Sequence, residues 1–393
     1  MTKFLLKLFS ILCVISGLII SVYFFKKLSV EYNYELESST DMSGTGQVGD
    51  FIGGVVGTFF SLAGFLILIL TLSEQIKFAN KERFESKFFD LLKLHRENIQ
   101  EMNSGSKSGR KELHEIFGQF LKCREECMFF FKRKKNYHIY QDEYILKIKK
   151  SLEKTNPDID LVSLAKLNIP YLITFYGLGA EGKETIKNQF KTRYKTEFYE
   201  PILEFLAMKP IKQSKYFKRW KVIQKIADKK NQQKAFEIIR MLRNNPNYSN
   251  EAFPNIVLKA ENNKYPNNYI KFYGGHQYKL GHYFRHLFQS FTFINEQENM
   301  SEDEKYFYAK TLRAQLSTAE QSLLFINSIS YLGLVWDLAP RMRKKNINFF
   351  QKKQLVNKRL ITKYNLIKNL PSESIFGITY KDYYPDVDYE IEN

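Results

Sequence analysis

The amino-acid sequence predicts an all-α protein, with an N-terminal two-helix transmembrane hairpin followed by a largely helical cytoplasmic domain. Residues 8–25 and 51–73 are long runs without a charged side chain. Past Ser73, apolar residues recur at three- and four-residue spacing, the period of a helix with one buried face. No segment alternates strongly enough to demand a strand, and no internal period indicates repeats.

The first run, LFSILCVISGLIISVYFF, would cover about 27 Å as a helix, close to the hydrocarbon thickness of a bilayer. It ends in two bulky phenylalanines before Lys26 and Lys27, without a small-residue cleavage site. A retained anchor is therefore expected in preference to a removed signal sequence. The second run, FIGGVVGTFFSLAGFLILILTLS, would cover about 34 Å. Lys3 and Lys7 precede the first run, and Lys77, Lys81, Arg83 and Lys87 follow the second. The short connection holds Glu31, Glu35, Glu37, Asp41 and Asp50, with Lys26 and Lys27 against the trend. That bias places both ends in the cytoplasm of a bacterial inner membrane, with an external loop between the spans. Gly53, Gly57 and Ser61 form a small-residue helix-packing strip. It suits an intramolecular hairpin against Gly17 and Ser21, in preference to a seam or pore wall between copies of the chain.

The formal net charge is +18, yet residues 1–73 hold four basic and five acidic side chains, so the positive excess lies beyond Ser73. Such a body favours anionic lipid or nucleic acid as a partner. Its densest basic run is 341–359, although a lysine-rich solvated helix, or the codon bias of an AT-rich gene, gives the same composition. Three cysteines make no disulfide framework. Cys123 and Cys127 in CREEC have no second ligand pair, so no metal site is expected and reduced thiols fit better. No nucleotide loop or serine-type triad is visible, no cofactor is expected, and no small-molecule substrate is evident.

Five segments follow from these patterns. They are a hairpin (1–73), an amphipathic stalk and second helix (74–130), a helical insert (131–270), core helices (271–340), and a basic helix with an acidic tail (341–393). The stalk carries Phe84, Phe88, Leu91, Leu92 and His95 on one stripe and stops at NSGSKSG; the next helix opens at Arg110. Within the insert, helices are expected at 138–154, 183–206 and 215–243, with IPYL at 169–172 read as a break. Two more are expected at 276–297 and 302–333. The tail, YKDYYPDVDYEIEN, is expected to be poorly ordered.

The histidine-bearing stretch GHYFRHLFQS holds the candidate chemistry. Wound as a helix, His282, Arg285, His286 and Gln289 fall within about 100° of one another, opposite Tyr283, Phe284, Leu287, Phe288 and Phe291. Imidazole and guanidinium suit proton transfer and phosphate binding. Arg313, Ser317, Glu320 and Asn327 are expected to share a second polar stripe, from which Arg313 and Glu320 could reach the histidines. His282, Arg285, His286, Arg313 and Glu320 are thus candidate catalytic residues. The alternatives are a buried polar network that fixes helix register, or a solvated face.

Several blocks occur in a recognisable order: GDFIGG at 49–54, FESKFFDLLKLHREN at 84–98, GRKELHEIF at 109–117, GHYFRHLFQ at 281–289 and YAKTLRAQLSTAEQSLLFIN at 308–327. Together they resemble the bacterial phage abortive infection family, the AbiC-like proteins, over under half the chain. The resemblance implies a defence role, in which a membrane-attached protein stops the infected cell before phage progeny emerge. Some abortive infection proteins are similar to HEPN ribonucleases, all-α domains with an Arg-x4-6-His motif. The literal match here is RKKNYH, giving Arg133 and His138 as a weaker catalytic pair, outside the resembling blocks. Three mechanisms then compete: membrane perturbation by oligomers, an anchored metal-independent ribonuclease, and a non-catalytic sensor or scaffold. The partners they call for are the bilayer, a second copy, RNA or a phage component.

Overall fold

The structure, a computed structural model, describes residues 2–31, 42–102, 108–146, 160–209, 211–212, 217, 220–221, 224–225, 272–337, 359–370, 374–375 and 378–390. Its elements are helices, apart from a two-residue antiparallel ladder that pairs Ser374 with Thr379 and Ile375 with Ile378, and a bridge between Tyr140 and Tyr194. The chain divides into two compact units, Met1–Asp90 and Leu91–Asn393, where the sequence suggests five segments.

The first unit contains α1 (Thr2–Glu31), α2 (Met42–Phe51), a π-helical turn (Ile52–Val56) and the start of α3 (Gly57–Gln100). Two helical stretches are long and apolar enough to cross a membrane, with mean hydropathies of 2.5 and 2.4. Helix extends through residues 42–50, within the segment expected to form the external loop. Continuing the helix pairs backbone groups that would otherwise stay open at the edge of an apolar segment. Cys13, Val56, Ala63 and Leu66 are buried in the unit, and Ser10 Oγ donates to the Ala63 carbonyl at 3.3 Å. Phe24 stacks on Phe51 with ring centroids 3.9 Å apart.

Gly17 abuts Phe59 and Phe60, not the small-residue strip it was expected to meet. A Cβ added at Gly53 would touch nothing, and Ser61 is exposed, so that strip lies off the α1–α3 contact. Outside the contact, Phe4, Phe9, Ile19, Val22, Phe65 and Leu68 are more than half exposed. A soluble surface rarely carries so continuous an apolar band.

The second unit is organised around α4 (Arg110–Cys127) and α6 (Leu161–Tyr176), with the short α5 (Asn136–Ile139) between them in sequence. Helix α6 corrects the expected break at IPYL: Pro170 sits inside a helix that is buried on nearly every face. Its sequence is apolar all round, so it shows no amphipathic period, which is the mark of a central helix. Asp160 caps it by accepting from Val162 N at 2.9 Å, and Gly177 ends it at φ +80°. A Cβ at Gly177 would overlap the Gly274 backbone, so this C-terminal turn requires glycine. The expected 183–206 helix is two, α7 (Ala180–Phe190) and α8 (Thr196–Ala207). The expected 215–243 helix and the run 341–358 lie almost wholly outside the described residues.

Among the described residues the second unit also holds α9 (Gln277–Asn295), α10 (Glu302–Arg313) and α11 (Thr318–Ile329), followed by the single turn α12 (Leu360–Lys363). The tail through residue 390 is packed, contrary to expectation. Tyr380, Tyr383, Tyr384, Val387 and Tyr389 are buried. Phe325 of α11 meets the rings of Tyr380, Tyr383 and Tyr384 edge-on, and Tyr384 Oη donates to Ser328 Oγ at 2.6 Å. Acidic residues follow the tyrosines because they reach solvent or a cation, as Asp388 does with Lys368 at 2.6 Å. The tyrosine rings supply apolar area that the acidic composition conceals.

Candidate functional site

Helix α9 is amphipathic as expected, but its polar stripe divides. His282, Arg285 and Gln289 are exposed, whereas His286 turns inward and stacks on His95 of α3, ring centroids 6.1 Å apart and planes 17° from parallel. His95 is 1% exposed and also lies against Tyr283, at 5.6 Å between ring centroids. None of the four ring nitrogens of His95 and His286 has a hydrogen-bond partner among the described residues, and all four are shut from solvent. Burial lowers the His95 pKa to about 4, helped by the neighbouring His286, Arg110 and Arg96. Burial also lowers that of His286, with His282 adding to the effect. Both rings are therefore held neutral at cellular pH.

Beside this pair lies a buried network. Glu320, 0% exposed, accepts from Tyr283 Oη at 3.0 Å and from the Ser317 backbone N–H at 2.8 Å. Arg110 approaches its carboxylate at 3.6 Å and donates to the Gln315 carbonyl at 2.7 Å. Gln315 Oε1 also receives the Arg96 guanidinium at 3.2–3.3 Å. Four of the resembling blocks thus converge here: FESKFFDLLKLHREN supplies His95 and Arg96, GRKELHEIF supplies Arg110, GHYFRHLFQ supplies Tyr283 and His286, and YAKTLRAQLSTAEQSLLFIN supplies Gln315 and Glu320.

The second expected stripe does not exist as one helix face. The chain leaves helical geometry between Arg313 and Thr318, where Ser317 and Glu320 form a reciprocal capping box that starts α11. Arg313 consequently points elsewhere, donating to the carbonyls of Tyr364 and Asn365 at 2.9 and 3.0 Å. It ties α10 to the C-terminal segment and does not join the histidines. Asn327 is buried between Tyr171 Oη, to which it donates at 2.8 Å, and Trp336 Nε1, from which it accepts at 3.2 Å.

Arg133 and His138 are exposed at the start of α5. His138 Nδ1 accepts from the Lys135 backbone N–H at 3.0 Å, so one ring nitrogen is spent on capping. Cys123 and Cys127 are free and buried, and burial raises the Cys123 pKa well above that of an ordinary thiol. No group of three or more metal-donor side chains occurs among the described residues.

Two ion pairs that the sequence did not reveal are buried. Lys279 of α9 meets Glu112 of α4 at 2.6 Å. Lys209 meets Glu126 at 2.6 Å, and Tyr273 Oη donates to the other Glu126 oxygen at 2.6 Å. His95 had a signal: a lone histidine on the stripe Phe84, Phe88, Leu92, Ile99, all buried. Tyr283 and Arg110 carried none beyond membership of the blocks, because their partners lie far away in sequence.

Two clefts open on the second unit. One, of about 560 Å³, is bordered by Arg110, Lys111 and His114 of α4 and by Ser317, Thr318 and Ala319 at the start of α11. The other, of about 340 Å³, lies between α9, the end of α6 and residues 327–336.

No curated protein and no solved structure matches the chain. Residues 275–344, which build α9, α10, α11 and most of the smaller cleft, match the family model described as "Putative phage abortive infection protein".

Proposed function

We propose that this chain is a phage-defence protein held in the bacterial inner membrane by two spans, with both ends cytoplasmic, and that it arrests the infected cell by perturbing the bilayer. The family match supports the defence role, and the two long apolar helices support the anchor. The observation that carries the mechanism is the open small-residue strip. Gly53 has nothing within contact range of an added Cβ and Ser61 is exposed, so the strip remains available to a helix of another copy. Packing of several hairpins through such strips would provide a path for ions.

A metal-independent ribonuclease is the second reading, favoured by solvent-facing His282 and Arg285 beside His286. Acid–base catalysis needs imidazole nitrogens that reach the reacting atoms. Both nitrogens of His286 are shut away, which supports the membrane reading over this one.

The test is infection of cells carrying the full chain, its Gly53→Leu/Gly57→Leu form or its His286→Ala form, with membrane potential followed by a voltage-sensitive dye. Equal expression is verified by blotting. The membrane reading expects depolarisation before growth stops, loss of both in the glycine variant, and retention of both in His286→Ala. Growth arrest with intact potential, abolished by His286→Ala, would replace it with the ribonuclease.

A further inference from the structure

We propose that the smaller cleft is a binding site for a single nucleotide unit. Apart from Phe175 and Tyr176, its walls come from the family-matched stretch. Its deep side is built of ring faces and edges: Phe284 and Trp336 are buried, and Phe288 meets Trp336 at 87° with centroids 5.1 Å apart. The polar groups there are already satisfied, since Asn327 is held by Tyr171 and Trp336. The interior therefore offers π surfaces and few hydrogen bonds, which suits a flat ring.

The mouth is different. Gln277, Gly281, Arg285 and Gln289 follow one another at four-residue spacing along α9, and all four line the cleft. Arg285 Nε donates to the Gly281 carbonyl at 2.9 Å, which fixes the guanidinium. Its terminal nitrogens have no carboxylate partner among the described residues, leaving an uncompensated cation at the rim of an aromatic cavity. The amides of Gln277 and Gln289 each offer a donor and an acceptor, the complement of a nucleobase edge.

Glycine at 281 leaves room between these side chains, as an added Cβ would come within 3.7 Å of Phe175 and 4.0 Å of Arg285 without a clash. A volume of about 340 Å³ is at the small end of ligand pockets, enough for one ring system with one anionic group. A ring inside, amides at its edge and a guanidinium at the opening match a base with its phosphate, whether free or within an RNA strand.

Equilibrium dialysis of full-length protein in detergent tests this, using adenosine, guanosine and uridine 5′-monophosphates. Inorganic phosphate, indole-3-acetate and a five-nucleotide RNA serve as competitors. The readout is binding alone, so the result is independent of how the protein arrests cells. Saturable binding of at least one monophosphate at one site per chain is expected, with neither phosphate nor indole-3-acetate displacing it at equal concentration. Arg285→Gln should weaken it tenfold or more and Gly281→Leu should abolish it, while each variant unfolds within a few degrees of the parent. Displacement by the RNA assigns the source to a strand, and failure to displace assigns it to free nucleotide; both support the site. Absence of saturation up to millimolar nucleotide, equal competition by phosphate or indole-3-acetate, or unchanged binding in Arg285→Gln would overturn the proposal.

Discussion

His95 and His286 lie with nearly parallel rings, centroids 6.1 Å apart, inside the second unit, although one belongs to a helix that starts at Gly57 and the other to a helix that starts at Gln277. Their nitrogens are buried without partners, an arrangement tolerable for neutral rings and costly for charged ones.

A pH dependence follows from this pair. The His95 pKa is lowered by burial to about 4, and that of His276, half-buried, is lowered by desolvation to about 4. An unfolded histidine titrates near 6.5. Between these values the unfolded chain binds protons that the folded chain refuses, so stability falls as pH drops from about 6.5 to about 4. The loss is up to about 3 kcal/mol per histidine. Thermal unfolding of the full chain from pH 7.5 to 4.5 should show a falling Tm, with a shallower fall in His95→Phe. An unchanged slope in that variant would mean His95 is not the group refusing the proton.

The Lys209–Glu126 pair gives a second expectation. Lys209 is 0% exposed, and burial lowers its pKa against the pull of Glu126. Removing one partner leaves an uncompensated buried charge, so Glu126→Ala should destabilise by about 3–5 kcal/mol. Replacing both, as Glu126→Leu with Lys209→Met, should recover most of that loss. Chemical denaturation of the single and double variants measures the difference; additive losses would contradict the pairing.

The packed tail gives a third. Tyr384 is 1% exposed and its hydroxyl donates to Ser328. Tyr384→Phe should cost about 1 kcal/mol, whereas Tyr384→Ala should cost about 3–5 kcal/mol through the cavity it leaves. Limited proteolysis should clip the alanine variant well before the parent. Equal resistance would show that the tail adds little to the core.

The parts of the fold that were legible in the sequence are those whose signal is local. Absence of charge marked the two apolar helices, and Arg110 after NSGSKSG marked the start of α4. Helix Leu161–Tyr176 was missed because it is buried all round and has no period to read, with Pro170 reading as a stop. The interruption before Thr318 did have a signal, the Ser317-x-x-Glu320 capping pattern, but the surrounding apolar spacing runs smoothly across it. In the site, helical winding put His282 and Arg285, both exposed, on one polar stripe but left open whether that stripe is buried, catalytic or solvated. It could not show that His286 turns to His95, since that depends on which helix lies alongside. Arg313 was misassigned for the same reason: its partners, the carbonyls of residues 364 and 365, leave no trace in side-chain chemistry.

The buried tyrosines of residues 380–390 also bear on how the protein is made. Because these residues wedge against Phe325 and Ser328, the body cannot close until they have left the ribosome. A chain cut short before residue 380 would therefore lack the tyrosines that cover Phe325 and Ser328, leaving its second unit unfinished and protease-sensitive.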